Sequence, residues 1–313
     1  MPVRVKKNMK QLKKLIAVSL LFTPYSQANE LVLYGRANIS IQSSDDGDGA
    51  YTEINNNSSR IGLKSHYVLT DTLSILYKAE FGLDIDGDSE QGDSITDRDQ
   101  YVGLKGRFGE VLLGKTNTML KQSQGKADLF NRLNGDIKLL FTGENRMSNS
   151  LSYKSPSLAG FRVGLSYITK DQLDGNDSSS FAIFYGDKTL KKTKFYAAIA
   201  LDKGVKGYDT ARFTLSAKVS AFTLATILQT QQSEVGENMN GYVMSAAYKI
   251  EQYTFKAQLQ RAKFERSDDK SGASIGVDYT LANPTKLYAF FTSLDMNAGI
   301  EQYYLGGGIE YQF

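Results

Sequence analysis

The side chains able to do chemistry are unevenly supplied in this 313-residue sequence. It holds no cysteine, so neither a disulfide nor a thiolate metal site can form. Its one histidine, His66, has no clear partner at a motif spacing, so a histidine-dependent triad is not expected. No glycine-rich turn matches a phosphate cradle. Acids crowd two early stretches: Asp45, Asp46, Asp48 and Glu53, then Asp84, Asp86, Asp88, Glu90 and Asp93. The alternate spacing of Asp84, Asp86 and Asp88 could offer oxygen ligands to Ca²⁺, but the rest of an EF-hand loop is missing. The expectation is therefore no metal and no cofactor, and a negative vestibule that concentrates cations. What remains is fixed positive charge on the polar face of an alternating pattern, carried by Arg36, Arg60, Lys64, Lys78, Arg98 and Arg146. Arginine keeps its charge beside like charges, so such a set supplies a field rather than a proton.

The elements that must position these charges are strands. Leu31, Leu33, Gly35, Ala37, Ile39 and Ile41 share one face, while Tyr34, Arg36, Asn38, Ser40 and Gln42 share the other. Ile61, Leu63 and Tyr67 oppose Arg60, Lys64 and His66, and Ile75, Tyr77, Ala79 and Phe81 oppose Lys78 and Glu80. The segment 96–105 alternates poorly. The pattern returns at 144–154 and continues to Phe313, giving about sixteen segments of roughly ten residues, the length of a tilted bilayer-spanning strand. Tight linkers (70–72, 106–110, 155–160, 187–192, 220–221, 251–252, 282–285) alternate with longer polar ones (43–57, 86–95, 116–143, 169–178, 203–208, 232–239, 265–271, 295–300). Short turns at one end and longer loops at the other are the layout of a membrane barrel.

A sandwich would bury both faces, and burying those charged groups unpaired would cost several kcal/mol each. A closed barrel of sixteen strands leaves an aqueous channel that solvates them. The fold class read from the pattern is all-β: a 16-stranded antiparallel transmembrane β-barrel. Aromatics such as Tyr67, Tyr77, Tyr153, Tyr185 and Tyr253 fall near segment ends, as interfacial girdles require.

Residues 1–28 read as a cleaved secretory signal peptide: a basic start with Arg4, Lys6, Lys7, Lys10, Lys13 and Lys14, a short apolar run at 15–22, and a small-residue boundary at Ala28. Met1 and Met9 both remain possible initiators. The barrel domain is then 29–313. Losing the leader removes six of 37 basic residues and none of 34 acidic ones, so the net charge falls from +3 to −3 and gives no argument for nucleic acid.

The longest run without alternation is 116–143. It is too apolar for a solvated linker, with Met119, Leu120, Leu129, Phe130, Leu133, Ile137, Leu139, Leu140 and Phe141. Lys121, Lys126, Asp128, Arg132, Asp136 and Lys138 are interleaved. One apolar and one charged side suit a third loop folded inward against the barrel wall, where it narrows the pore. The spacing of Leu129, Phe130 and Leu133 predicts a short helical turn there.

Leu33-Tyr34-Gly35-Arg36, Ser59-Arg60-Ile61-Gly62-Leu63-Lys64, Tyr101-Val102-Gly103-Leu104-Lys105 and the terminal Glu310-Tyr311-Gln312-Phe313 together resemble the general diffusion porins of Gram-negative outer membranes. The resemblance covers the whole chain beyond the leader. It implies a homotrimeric, water-filled channel in the outer membrane, among lipid and lipopolysaccharide, for passive diffusion of small hydrophilic solutes and ions. It also implies that Phe313 is the assembly signal read by the barrel-assembly machinery. A basic ladder on the wall faces acids on the third loop in such porins. Arg36, Arg60, Arg98 and Arg146 match the ladder by position, with Lys64, Lys78 and Lys115 beside them, and Asp128 and Asp136 are the candidates for the acidic side. The Pro-Glu-Phe-Gly-Gly motif of familiar members is absent from 116–143, and four basic residues there outnumber two acids, so the sequence leaves ion preference open. An oligosaccharide-type specific channel is the nearest alternative, and an outer-membrane barrel hydrolase or an adhesin a more distant one. No enzyme is expected.

Overall fold

The computed structural model describes residues 30–87, 94–170, 176–297 and 299–313. The proposed leader and Asp88, Glu90 and Asp93 lie outside the described residues. Seventeen strand segments form one antiparallel sheet. In order they are β1 (Glu30–Asp45), β2 (Ala50–Asn56), β3 (Arg60–Thr70), β4 (Leu73–Leu83), β5 (Ile95–Gly106), β6 (Gly109–Asn117), β7 (Arg146–Lys154), β8 (Phe161–Ile168) and β9 (Ser178–Gly186). The second half adds β10 (Phe195–Val205), β11 (Tyr208–Val219), β12 (Phe222–Ser233), β13 (Met239–Ile250), β14 (Tyr253–Phe264), β15 (Lys270–Ala282), β16 (Thr285–Asn297) and β17 (Ile300–Gln312).

β2 and β3 are one barrel strand interrupted at residues 57–59. Both pair with β1, through Ile41↔Ile54 and Leu33↔Leu63. The interruption is held along the wall: Asn57 Nδ2 donates to Ser40 Oγ (2.8 Å) on the adjacent strand and to the Tyr288 hydroxyl (2.9 Å) two strands further on. Counted this way the barrel has sixteen strands, as the alternation predicts. β17 returns to β1 through Ala37↔Tyr311, and Phe313 exchanges both backbone hydrogen bonds with Gly35 (2.9 and 3.1 Å). Closure leaves no sheet edge for lipid to strand.

The faces fall as the sequence pattern requires. Asn38, Ser40, Gln42, Ser150, Ser152, Thr214, Gln229 and Gln258 point inward and are buried, while Ile41, Leu259 and Leu305 are exposed on the outside. At the short-turn end, neighbouring strands pair aromatics. Phe161 with Tyr185, Phe222 with Tyr248 and Tyr253 with Tyr279 have ring centroids 4.6–4.9 Å apart. Each ring lies within a few residues of a turn, where a bilayer interface takes an amphipathic aromatic.

Several expected long loops are shorter than the alternation suggests. Residues 43–57 are mostly paired strand, with Ser43↔Thr52 and Asp45↔Ala50. The expected 203–208 loop is a two-residue turn at Lys206 and Gly207, both at positive φ. These strand ends extend past the hydrocarbon, where water touches both faces. No apolar face is then demanded and the period-two signal fades although pairing continues.

Candidate functional site

Residues 118–145 turn into the barrel. Thr118 caps a one-turn helix, α1 (Met119–Ser123), by accepting from Lys121 N. Asp136 caps a 3-10 turn at Ile137–Leu139 by accepting from Lys138 N. The helical turn expected at Leu129–Leu133 is instead a tight turn, with Leu133 N donating to Phe130 O (2.9 Å). Arg132 lies at φ +80°, outside the right-handed helical region, so the backbone leaves the helical path after one turn.

The protein's main apolar core is the contact between this segment and the wall. Ala127, Phe130, Ile137, Leu140 and Phe141 pack on Ile227, Met239, Val243, Ala262, Phe290 and Leu294 from β12, β13, β14 and β16. Met119 and Leu120 pack on Ala182 and Ala200. Fully burying each large side chain contributes about 2 kcal/mol. Wall glycines make room for them: a Cβ at Gly241 would stand 2.5 Å from the Phe141 ring, and one at Gly164 2.5 Å from Met119 Sδ. Polar groups fix the register. Ser245 Oγ donates to Ala127 O (2.6 Å), Gln258 Oε1 accepts from Leu129 N (2.9 Å) and Gln258 Nε2 donates to Gly135 O (2.9 Å).

Arg212 of β11 ties the two ends of the segment together. Its Nη1 donates to Glu144 Oε1 (2.7 Å) and Leu120 O (3.4 Å), Nη2 to Thr142 O (3.4 Å) and Nε to Gln229 Oε1 (2.8 Å). Its side chain is fully enclosed.

Opposite, the wall is a chain of charges. Arg98 meets Glu80 at 2.7 Å, Arg60 lies 3.7 Å from Glu80, Lys78 meets Asp99 at 2.6 Å, Arg146 shares Asp99, and Arg36 lies 3.8 Å from Glu310. Lys256 and Lys286 share Asp278 at 2.7 and 2.9 Å. Between wall and loop is a cavity of about 750 Å³. Among the described residues, twelve Lys and Arg side chains and seven carboxylates line it, an excess of five positive charges.

The structure brings Arg36, Arg60, Arg98, Arg146 and Lys78 to this cavity, together with Asp128 and Asp136. It leaves out Lys64 and Lys115. Lys78 is drawn to Asp99 and Glu80, whereas its cross-strand neighbour Lys64 lies over the Tyr34 ring, 5.3 Å from the centroid. Lys115 sits in a register shift between Gly114 and Thr116. Asp128 and Asp136 are buried, and their oxygens serve the loop's own fold. Asp128 accepts from Gln124 Nε2, Phe130 N, Asn131 Nδ2 and Ile137 N, and Asp136 from Arg132 N and Lys138 N. The acids facing the cations are Glu80 and Asp99, on the wall itself. The vestibule acids are likewise partly engaged: Asp45 accepts from Gly47 N and Gly49 N, and Asp86 from Asn56 N.

The loop's contribution to the passage is cationic. Lys126, Arg132 and Lys138 line the cavity and form no salt bridge among the described residues. Burial, and after it Arg36 and Arg60, pull the Arg132 pKa down to about 9, so the charge persists at pH 7. Burial, and after it Arg132 and Arg36, lower Lys126 as well. Cations on the loop therefore face cations on the wall.

A closed barrel, apolar outside and charged inside, narrowed by its own inturned segment, is the architecture of an outer-membrane pore. The family model described as "Gram-negative porin" matches residues 15–299, and the chain belongs to that family. Major outer membrane protein P.IB of Neisseria sicca is 28% identical over 178 residues, 53% of this chain and 49% of that protein. The chain thus spans about half the length of the curated relatives it matches. An anion-selective porin from Comamonas acidovorans superposes with a TM-score of 0.78 at 20% identity, covering 91% of this chain and 100% of that one. Salmonella typhi OmpF in complex with daunomycin gives 0.76 at 16% identity, covering 93% and 100%.

Proposed function

We propose that the chain is a water-filled outer-membrane channel for passive diffusion of small hydrophilic solutes, with a preference for anions. The excess of positive charge at the narrowing, carried by loop and wall together, is the observation that supports it. Where an aqueous gap is comparable with a Debye length of about 8 Å, fixed charges on its rim are felt by every passing ion. The channel works as three copies in contact with lipid and lipopolysaccharide. Small residues near the closure, such as the exposed Ala37, allow close contact between copies. Phe313, seated over Gly35 at the closing seam, is the end that the assembly machinery would engage.

The fixed-charge site needs no reacting group. His66, the sole histidine, is not among the cavity-lining residues. Planar-bilayer recordings in KCl should show ohmic conductance steps that recur in threes. A protein that inserts and passes no current would overturn the channel reading.

A further inference from the structure

A second cavity, of about 380 Å³, opens between Gln122 of the loop and the turns at the short-turn end of β7 to β10. Lys154 of β7 and Arg162 of β8 line it, and the turn after β9 adds Lys188 and Lys192. One carboxylate lies among these four cations, and its oxygens are already occupied. Asp187 accepts from Thr189 N (2.9 Å), Thr189 Oγ1 (2.7 Å), Lys191 N (3.1 Å) and Lys192 N (3.0 Å). Those donors, Thr189 N foremost, hold its carboxyl well below the usual carboxylate range, and among the described residues it forms no salt bridge. The half-buried Lys154 has Glu110 as its cross-strand neighbour but makes no salt bridge with it.

The floor of this cavity is aromatic. Phe184 and Tyr196 line it. The half-buried Phe184 offers its ring to the cavity, and the enclosed Tyr196, its hydroxyl donating to Ser123 O (3.0 Å), fixes the position of the wall behind it. Gln122 and Lys188 also line the central cavity, so the two cavities adjoin.

We propose that this cavity is a second anion site that takes a compact phosphate monoester carrying a planar ring. A phosphate dianion suits four cations set against the single lining carboxylate of Asp187, whose oxygens are turned to the donors of its own turn, and Arg162 offers it a forked pair of donors. The ring suits an aromatic floor, and the volume lies in the range of small-molecule sites. The inference rests on the channel reading, since a solute reaches the cavity through the bore. Its consequence is that flux of such anions saturates while chloride flux does not.

Phenyl phosphate added to full-length protein in a planar bilayer should reduce the KCl conductance saturably. Inorganic phosphate should do so with an affinity about tenfold weaker, equivalent to about 1.4 kcal/mol for the ring contact. The double variant Arg162→Gln with Lys192→Gln should keep the KCl steps and weaken the phenyl phosphate block at least about tenfold. Calorimetric titration of the detergent-solubilised trimer should show the same loss, and this measurement does not depend on conduction. Block and binding that survive the double variant, or that vanish only in Arg60→Glu, would overturn the second site. Missing KCl steps with intact calorimetric binding would instead overturn the channel reading alone.

Discussion

Arg212→Leu should open the passage and lower the stability of the barrel. Arg212 is the wall side chain that, among the described residues, hydrogen-bonds both ends of the inturned segment, through Leu120 O on one side and Thr142 O and Glu144 on the other. Leucine removes all four of its hydrogen bonds and leaves the enclosed Glu144 carboxylate without its ion partner. Breaking an enclosed pair from one side costs about 3–5 kcal/mol. The apolar anchors Phe130, Ile137 and Phe141 remain, so the barrel still assembles, but the base of the segment is left with its own bonds, Lys121 Nζ to Glu144 O (2.9 Å) and Thr118 N to Asn145 O (3.1 Å), and without the guanidinium. Larger and noisier single-channel conductance is expected, together with a lower unfolding temperature in detergent. Arg212→Lys keeps the charge without the forked geometry and should fall between the two. Unchanged conductance and thermal stability in Arg212→Leu would show that the contacts seen here do not hold the loop.

Charge reversal at the narrowing should abolish the anion preference. Arg60→Glu with Arg132→Glu changes one wall cation and one loop cation, and the excess among the lining residues falls from five to one. Adding Lys126→Glu makes it negative. A unit charge about 8 Å from an ion in water is worth about 0.5 kcal/mol, roughly a factor of two in local ion concentration. Four units of change should therefore move the anion-to-cation permeability ratio by about tenfold or more. The wall tolerates the exchange because Glu80 keeps Arg98 and Lys78 when Arg60 is lost. Reversal potentials in a salt gradient read the effect directly. The same reversal at Lys64 or Lys115, outside the lining, should leave the potential nearly unchanged. A large shift from those two would contradict the assignment of the narrowing.

Much of this barrel is legible in the sequence, because a lipid face and a wet face impose period two on every spanning strand. The same constraint explains what was missed. Asp99 falls in a strand whose alternation fails: Ala79 pairs with Gln100 but Phe81 with Asp97, so an extra residue is accommodated on β5. Neighbouring side chains then both reach the lumen, Arg98 to Glu80 and Asp99 to Lys78 and Arg146. Asp128 and Asp136, expected as the acidic side of the narrowing, have their oxygens engaged within the loop, because a carboxylate close to free backbone N–H groups folds the loop before it faces a pore. Lys64 has the right face and the wrong neighbours. The sequence does carry one mark of the loop's position. Ile227, Val243, Phe290 and Leu294 are apolar residues on a lumen face that is polar elsewhere, and they mark where the loop lies.

The reversal potential of the unaltered channel across a KCl gradient tests the central claim most directly. A narrowing with cations on both wall and loop predicts a sign set by chloride crossing faster than potassium. A potential of the opposite sign would contradict it.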